Sequence, residues 1–115
     1  MLKKIFALLP LVLALSAFTT PAIPPVPASD PTVPADIQVL LDKYSCASCH
    51  AISRRMVGPK WTDVAAKGYT AKKIMQLVKV PEPANWPGYS PMAAQTNVPK
   101  ADLQKIANWL VSMKG

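Results

Sequence analysis

The sequence contains little of several residue types, and each shortage excludes a class of protein. Two cysteines and one histidine among 115 residues rule out a disulfide-rich scaffold and a zinc site built from several Cys and His ligands. Only six acidic residues balance 13 lysines and arginines, which leaves a formal charge of +7. The length allows one small domain and excludes a multidomain protein. Any chemistry must therefore depend on very few side chains.

The N-terminal segment is typical of a secretory signal peptide. Lys3 and Lys4 precede an apolar run over residues 5–18, and small or polar residues follow up to Ala22. The run is shorter than the roughly 20 apolar residues that a membrane-spanning helix needs. We therefore expect residues 1–22 to be a signal peptide that is removed on export to the periplasm. An uncleaved membrane anchor is the alternative.

A proline-rich segment over residues 23–34 follows, and it has neither helical nor alternating periodicity. Such a composition favours extended polyproline II conformation and cannot bury a core. We interpret it as a linker, with an ordered arm wrapped on the domain as the alternative. The folding part is then residues 35–115, a domain so small that its core needs a disulfide, a metal or a cofactor.

Apolar residues recur with helical spacing in three segments, residues 35–44, 70–80 and 98–113. A further short helical turn is possible over residues 61–67. The proline-rich segment 81–91 predicts a long loop without regular structure. No segment alternates as a strand does, so we predict an all-α fold of three to four helices.

Two helix boundaries have recognisable signals. Thr70 is placed to cap the N-terminus of the second amphipathic helix, and Pro81 prevents that helix from continuing. Pro99 is expected at the first helical position of the last helix, where a missing N–H costs no hydrogen bond.

The segment from Cys46 to His50, Cys-Ala-Ser-Cys-His, is the C-x-x-C-H pattern of c-type haem attachment. The thiols of Cys46 and Cys49 can each form a thioether with one vinyl group of the same porphyrin. His50 then lies under the ring, where an imidazole nitrogen can bind the iron. The pattern predicts one covalently bound haem c per chain, with His50 as a metal ligand.

Other interpretations of the two cysteines are less consistent with the chain. A thioredoxin-like redox pair requires a βαβ setting, which the helical pattern excludes. A zinc site needs additional ligands that the composition lacks. A short disulfide in an exported protein, with His50 incidental, is the remaining alternative.

The candidates for a second axial ligand are the methionines, because there is no second histidine. Met56 lies too close to the haem motif to reach the opposite face comfortably, and Met75 and Met113 fall in predicted helices as core residues. Met92 follows Pro91 at the end of the stiff proline-rich loop, so we predict Met92 as the ligand. A five-coordinate haem is the alternative. With both axial positions filled, the iron exchanges electrons and binds no substrate.

From about residue 36 to the C-terminus, the sequence resembles class I c-type cytochromes, specifically the short bacterial monohaem electron carriers. The resemblance rests on the haem motif and on the following segments: Met56-Val57-Gly58-Pro59, Trp61 to Lys67, Trp86, Pro91-Met92, and Ile106 to Leu110.

This resemblance implies the small class I cytochrome c fold, with its first and last helices crossing. It implies that the carbonyl of Pro59 accepts a hydrogen bond from the second ring nitrogen of His50. It also implies that Trp86 lies near a haem propionate, although aromatic packing alone is an equally simple role. Two prolines often follow the ligand methionine in such proteins, whereas here Ala93 and Ala94 follow Met92.

Basic residues cluster after the haem motif and around the second amphipathic helix: Arg54, Arg55, Lys60, Lys67, Lys72, Lys73 and Lys79. They are either an ordinary solvated face or a positive rim that attracts acidic surfaces of redox partner proteins. Nucleic acid is not an expected partner, because the tryptophans are not interleaved with the basic groups.

The residues and the resemblance together predict a monomeric periplasmic electron carrier without catalytic activity. Two alternatives stay open. One is an enzyme or sensor with an open iron site for a small ligand. The other is a haem subunit of a larger respiratory or oxidoreductase complex, held by the proline-rich arm.

Overall fold

The computed structural model describes residues 19–23 and 33–114. Within these ranges the chain forms α-helices and short 3-10 helices and contains no β-strand, which confirms the prediction of an all-α fold. The four α-helices are α1 (Ala35–Lys43), α2 (Trp61–Ala66), α3 (Ala71–Lys79) and α4 (Lys100–Ser112).

Two short 3-10 helices lie between the α-helices, at Cys46–Ser48 and Pro83–Asn85. The second one corrects the expectation that residues 81–91 lack regular structure. Pro83 occupies the start of this turn, where its missing N–H costs no hydrogen bond. The amide of Trp86 donates to the carbonyl of Pro83 at 3.0 Å and closes the turn.

The helix-boundary predictions have different outcomes. Thr70 caps α3 as expected, because its Oγ1 accepts a hydrogen bond from the amide of Lys73 at 3.1 Å. Pro99, expected at the first helical position, is instead the N-cap residue of α4. Its ψ of 145° is extended rather than helical, while its carbonyl accepts the first helical bond, from Leu103.

The helices converge on one buried cluster in which α1 and α4 pack together. Ile37 and Leu41 of α1 share this cluster with Ile106 and Leu110 of α4. These side chains recur at spacings of three and four residues and so lie on one face of each helix. The cluster also includes Ile52, Trp61, Ile74, Ala107 and Trp109.

A polar contact joins the end of α1 to the first turn of α4. The hydroxyl of Tyr44 donates to Oδ2 of Asp102 at 2.5 Å, and Nζ of Lys43 lies 3.6 Å from the same oxygen. The Tyr44 hydrogen bond and the nearby Lys43 charge lower the pKa of Asp102. This contact links the C-terminal end of α1 to the N-terminal turn of α4.

The predicted signal peptide and linker lie largely outside the described residues. Residues 19–23 are exposed and adopt neither helix nor strand, and residues 33 and 34 lead into α1. No helix in the described part of the chain has the length and apolar character needed to cross a membrane.

Tyr44→Phe is expected to lower the stability of the folded protein at neutral pH, because it removes the hydrogen bond that favours ionised Asp102. A carboxyl whose pKa is lowered by folding stabilises the protein above its ordinary pKa of 3.8 and loses that effect as the pH falls through the folded-state value. The loss of stability caused by Tyr44→Phe should therefore become smaller as the pH falls. Denaturant unfolding from pH 7 to pH 3 measures it.

Tyr69→Phe is the matched control for this change. The Tyr69 hydroxyl has no hydrogen-bond partner within the described residues, so its removal should have an effect that is independent of pH. A Tyr44→Phe deficit that stays constant across the same range would contradict the role assigned to Asp102.

Candidate functional site

A sharp turn after α1 places the two cysteines. Ser45 adopts a left-handed backbone conformation, with φ 58° and ψ 21°, which ends the helix and redirects the chain into the first 3-10 turn. Oγ of Ser48 donates to the carbonyl of Ser45 at 2.6 Å, and the amide of His50 donates to the carbonyl of Cys46 at 3.0 Å. Cys46 and Cys49 are free, half-buried thiols.

Both thiols open into a cavity of about 410 Å³ at the centre of the domain. His50 lines the same cavity, and so does Met92, which lies in the segment between α3 and α4. Apolar side chains of α3 and α4 complete its walls: Ile74, Leu77, Val78, Leu103, Ile106 and Leu110. This volume lies within the range of roughly 300–1,000 Å³ typical of cofactor and ligand sites.

A hydrogen bond orients the imidazole of His50. Its Nδ1–H donates to the carbonyl oxygen of Pro59 at 2.7 Å, the contact that the sequence resemblance implied. This bond leaves Nε2 available for a metal ion. Burial lowers the pKa of His50, while the bond to Pro59 acts in the opposite direction. The ring is therefore favoured in the neutral form that binds metals.

Gly58 lies against the face of the same imidazole. A Cβ atom at this position would be 2.6 Å from Cε1 and 2.9 Å from Nδ1 of His50, closer than real side chains approach each other. The amide of Gly58 also donates to the carbonyl of Cys49 at 2.8 Å. Glycine is required here because the backbone passes directly beside the ring.

Trp61 supports the imidazole through a stacking contact that the sequence analysis did not predict. Its ring centroid lies 4.3 Å from that of His50, with an interplanar angle of 24°. The edge of Trp109 in α4 packs against Trp61, with a centroid distance of 5.9 Å. Both tryptophans are buried. The only feature of the sequence that could have indicated this contact is the large aromatic residue directly after the Gly58-Pro59-Lys60 segment.

The methionines differ in their relation to the cavity. Met92 lines the cavity and is 39% exposed. Met75 and Met113 pack against the hydrophobic core, as their helical positions suggested. Met56 is half-buried and does not line the cavity. Among the methionines in the described residues, Met92 alone reaches the space shared by the thiols and the imidazole.

Trp86 lies at the wall of the cavity and is half-buried. Nζ of Lys67 lies 4.6 Å from the centroid of the Trp86 ring and donates to the carbonyl of Asn85 at 3.1 Å. Tyr89 meets Trp86 edge to face, with a centroid distance of 6.1 Å. The proline-rich loop is thus held by a basic side chain from the end of α2.

Several residues of the basic cluster have partners inside the domain. Lys60 pairs with Asp63 and Lys73 with Glu82, at 3.6 Å and 2.7 Å, and Arg55 and Lys67 contact the proline-rich loop. Within the described part of the chain, the remaining three, Arg54, Lys72 and Lys79, are exposed and lack an acidic partner. Part of the basic cluster therefore makes contacts within the domain, and the rest presents unpaired positive charge on the described surface.

The donor set fits a covalently attached haem. Two thiols, an oriented imidazole and a thioether face one largely apolar cavity. Thioethers and imidazoles are soft or borderline ligands that suit haem iron. The close approach of Gly58 to His50 keeps the imidazole in a single orientation.

Residues 35–114 match the sequence model of the Cytochrome c family. This span covers every helix described above. The chain belongs to the cytochrome c family. Haem c is therefore its covalently attached cofactor, and electron transfer is its general role, as the sequence predicted.

Similar proteins are small bacterial cytochromes. Cytochrome c-551 of Allochromatium vinosum is 36% identical over 87 residues, which is 72% of this chain and 90% of that protein. Cytochrome c-551 of Pseudomonas aeruginosa is 35% identical over 83 residues, 69% of this chain and 78% of that protein. Both likenesses support the class I interpretation.

A solved structure also matches the fold. The crystal structure of wild-type cytochrome c552 from Nitrosomonas europaea aligns with a TM-score of 0.60 and 32% sequence identity. The alignment covers 67% of this chain and 99% of that chain. The class I cytochrome c fold predicted from the sequence is confirmed.

Gly58→Ala is expected to displace the imidazole of His50, because the new methyl group would lie within 3 Å of the ring. Overpacking of this kind typically costs about 1–3 kcal/mol. The variant should unfold at lower denaturant concentration, and its haem absorption spectrum and reduction potential should change together.

Gly68→Ala provides the control. Gly68 has a φ of +74°, and a methyl group added to it would have no neighbour within 4 Å. The substitution therefore strains the backbone by roughly 1 kcal/mol at a residue that does not line the cavity. It should lower stability while leaving the spectrum and potential unchanged. If Gly58→Ala behaves in the same way, the close approach to His50 has no functional consequence.

Proposed function

We propose that this cytochrome c is a one-electron carrier in which His50 and Met92 are the two axial ligands of the haem iron. Cys46 and Cys49 attach the haem through thioether bonds. The main support is that the two thiols, the imidazole and the Met92 side chain line one cavity. Met92 is the only methionine of the described residues in that position.

When bound, haem c supplies an iron that cycles between the ferrous and ferric states. His50 and Met92 would be the protein ligands of this iron, and a methionine ligand would raise its reduction potential. With both residues as ligands, no coordination position would remain for a substrate, so the protein would transfer electrons without catalytic activity of its own. The apolar walls exclude water and limit reorganisation on electron transfer.

Two further residues tune the site in this proposal. The carbonyl of Pro59 fixes the ring orientation of His50 and raises its basicity as a ligand. Trp86, which lines the cavity, would donate its indole N–H to a haem propionate. The ammonium of Lys67, which lies above the Trp86 ring, adds positive charge that favours a carboxylate there.

We also propose that the protein acts in the periplasm. Residues 1–22 direct export and are removed, and residues 23–34 form a proline-rich linker ahead of the cytochrome domain. Two lysines ahead of an apolar run that is too short to span a bilayer support this assignment. The mature protein acts as a monomer.

Redox partners are expected to present acidic surfaces. Arg54, Lys72 and Lys79 are the members of the basic cluster that are exposed without an acidic partner in the described structure. Their field accelerates association with an acidic protein, an effect that weakens as ionic strength rises.

Met92→Ala is expected to remove the axial sulfur ligand. The ferric holoprotein should lose the weak long-wavelength absorption band of a methionine-ligated haem, its reduction potential should fall, and the reduced form should bind carbon monoxide. Met75→Leu is the control, because Met75 packs against the core and this swap conserves volume. Persistence of the band in Met92→Ala would exclude Met92 as the ligand, and its retention in Met75→Leu would show that the loss is specific to Met92.

Mass spectrometry of the protein recovered from the periplasm tests the export proposal and haem attachment in one measurement. The expected product begins at Ile23 and carries the mass of one haem. A Cys46→Ser, Cys49→Ser double variant should be exported but gain no haem mass. A native product that retains residues 1–22 would contradict cleavage, and one without added mass would contradict covalent attachment.

A further inference from the structure

The segment that carries Met92 has few attachments to the rest of the domain. Within the described structure, the backbone of residues 90–94 makes no hydrogen bond to any other element. Downstream, the amide of Gln95 donates to the carbonyl of Val78 in α3 at 2.9 Å. This bond anchors the segment on one side of Met92 only.

The upstream anchor is Arg55, from the loop between the haem motif and α2. Its Nη2 donates to the carbonyl of Gly88 at 2.6 Å. Its guanidinium carbon also lies 4.0 Å from the centroid of the Tyr89 ring. One side chain thus holds two consecutive residues by a charged hydrogen bond and a cation–π contact. Arg55 and Gly88 are 33 residues apart, so the contact is tertiary.

The backbone at Gly88 is suited to this contact. Gly88 has a φ of +83°, a conformation that favours glycine, and an added Cβ would lie 4.0 Å from the nearest Arg55 nitrogen. The glycine turns its carbonyl towards the arginine. Downstream of Met92, Ala93 and Ala94 restrict the backbone dihedrals less than prolines would.

We propose that Arg55 is a positioning residue that holds Met92 over the haem site by anchoring the start of the segment from Gly88 to Gln95. This inference rests on the proposed role of Met92 as an axial ligand. Arg55 touches neither the thiols nor the imidazole; it acts by limiting how often this segment swings away from the cavity.

Imidazole binding to the ferric holoprotein measures this opening. Added imidazole occupies the Met92 position only when the segment is open, so its apparent affinity is proportional to the open fraction. Arg55→Ala should raise that affinity about fivefold to tenfold, the effect expected from losing an exposed charged hydrogen bond and a cation–π contact. Imidazole is neutral near pH 8, so loss of one positive charge alone has little effect on its binding.

Arg54→Ala is the matched control. Arg54 is the adjacent arginine, it is exposed, and its guanidinium contacts Sδ of Met56 at 3.6 Å instead of the loop. Arg54→Ala should leave the imidazole affinity unchanged. Arg55→Lys, which keeps a cation near the Tyr89 ring, should recover part of the wild-type behaviour. If Arg55→Ala does not fold, Tyr89→Leu should raise the affinity and Tyr89→Phe should not.

The outcomes separate this inference from the proposed function. Loss of the long-wavelength band in Met92→Ala, with an imidazole affinity in Arg55→Ala equal to that of wild type, would overturn the role of Arg55 alone. An equal rise in Arg54→Ala would overturn it as well. If Met92→Ala changes neither the band nor imidazole binding, Met92 is not the ligand and both proposals fail. A rise specific to Arg55→Ala, reduced in Arg55→Lys, supports the anchor.

Discussion

The site depends on the confinement of one imidazole. The carbonyl of Pro59 fixes the direction of the His50 ring, the backbone of Gly58 closes one approach to it, and Trp61 stacks against it. Trp109 braces Trp61 from α4, so the last helix of the domain contributes to the orientation of a ligand near its start. A metal ligand held this way needs little rearrangement when the charge of the iron changes.

The cavity explains how so short a chain maintains a fold. Three buried residues of α4 also line the cavity: Leu103, Ile106 and Leu110. Bound in this cavity, the cofactor of the family would contact the same side chains that pack the helices together. Any group that binds only the folded state stabilises it. Covalent attachment makes that stabilisation independent of the free haem concentration, and it suits a domain with a thin core.

The helices and the attachment motif can be predicted from the sequence because both are local. Spacings of three and four residues between apolar side chains define helix faces, and Thr70 marks a helix start with its own hydroxyl. The Trp61–His50 stack and the Arg55–Tyr89 contact cannot be predicted in this way. They join residues of different segments, and they depend on side-chain orientations that only the packed helices determine. Pro99 illustrates the same limit, since its φ suits both the cap and the first helical position.

The packing of α1 on α4 has a consequence for the order of events during biosynthesis. Ile37 and Leu41 share their buried cluster with Ile106 and Leu110 of the final helix, so a nascent chain that lacks α4 cannot bury them completely. Closing such a long loop is entropically costly and comes late in folding. A polypeptide with this topology completes its buried core only after α4 has been synthesised.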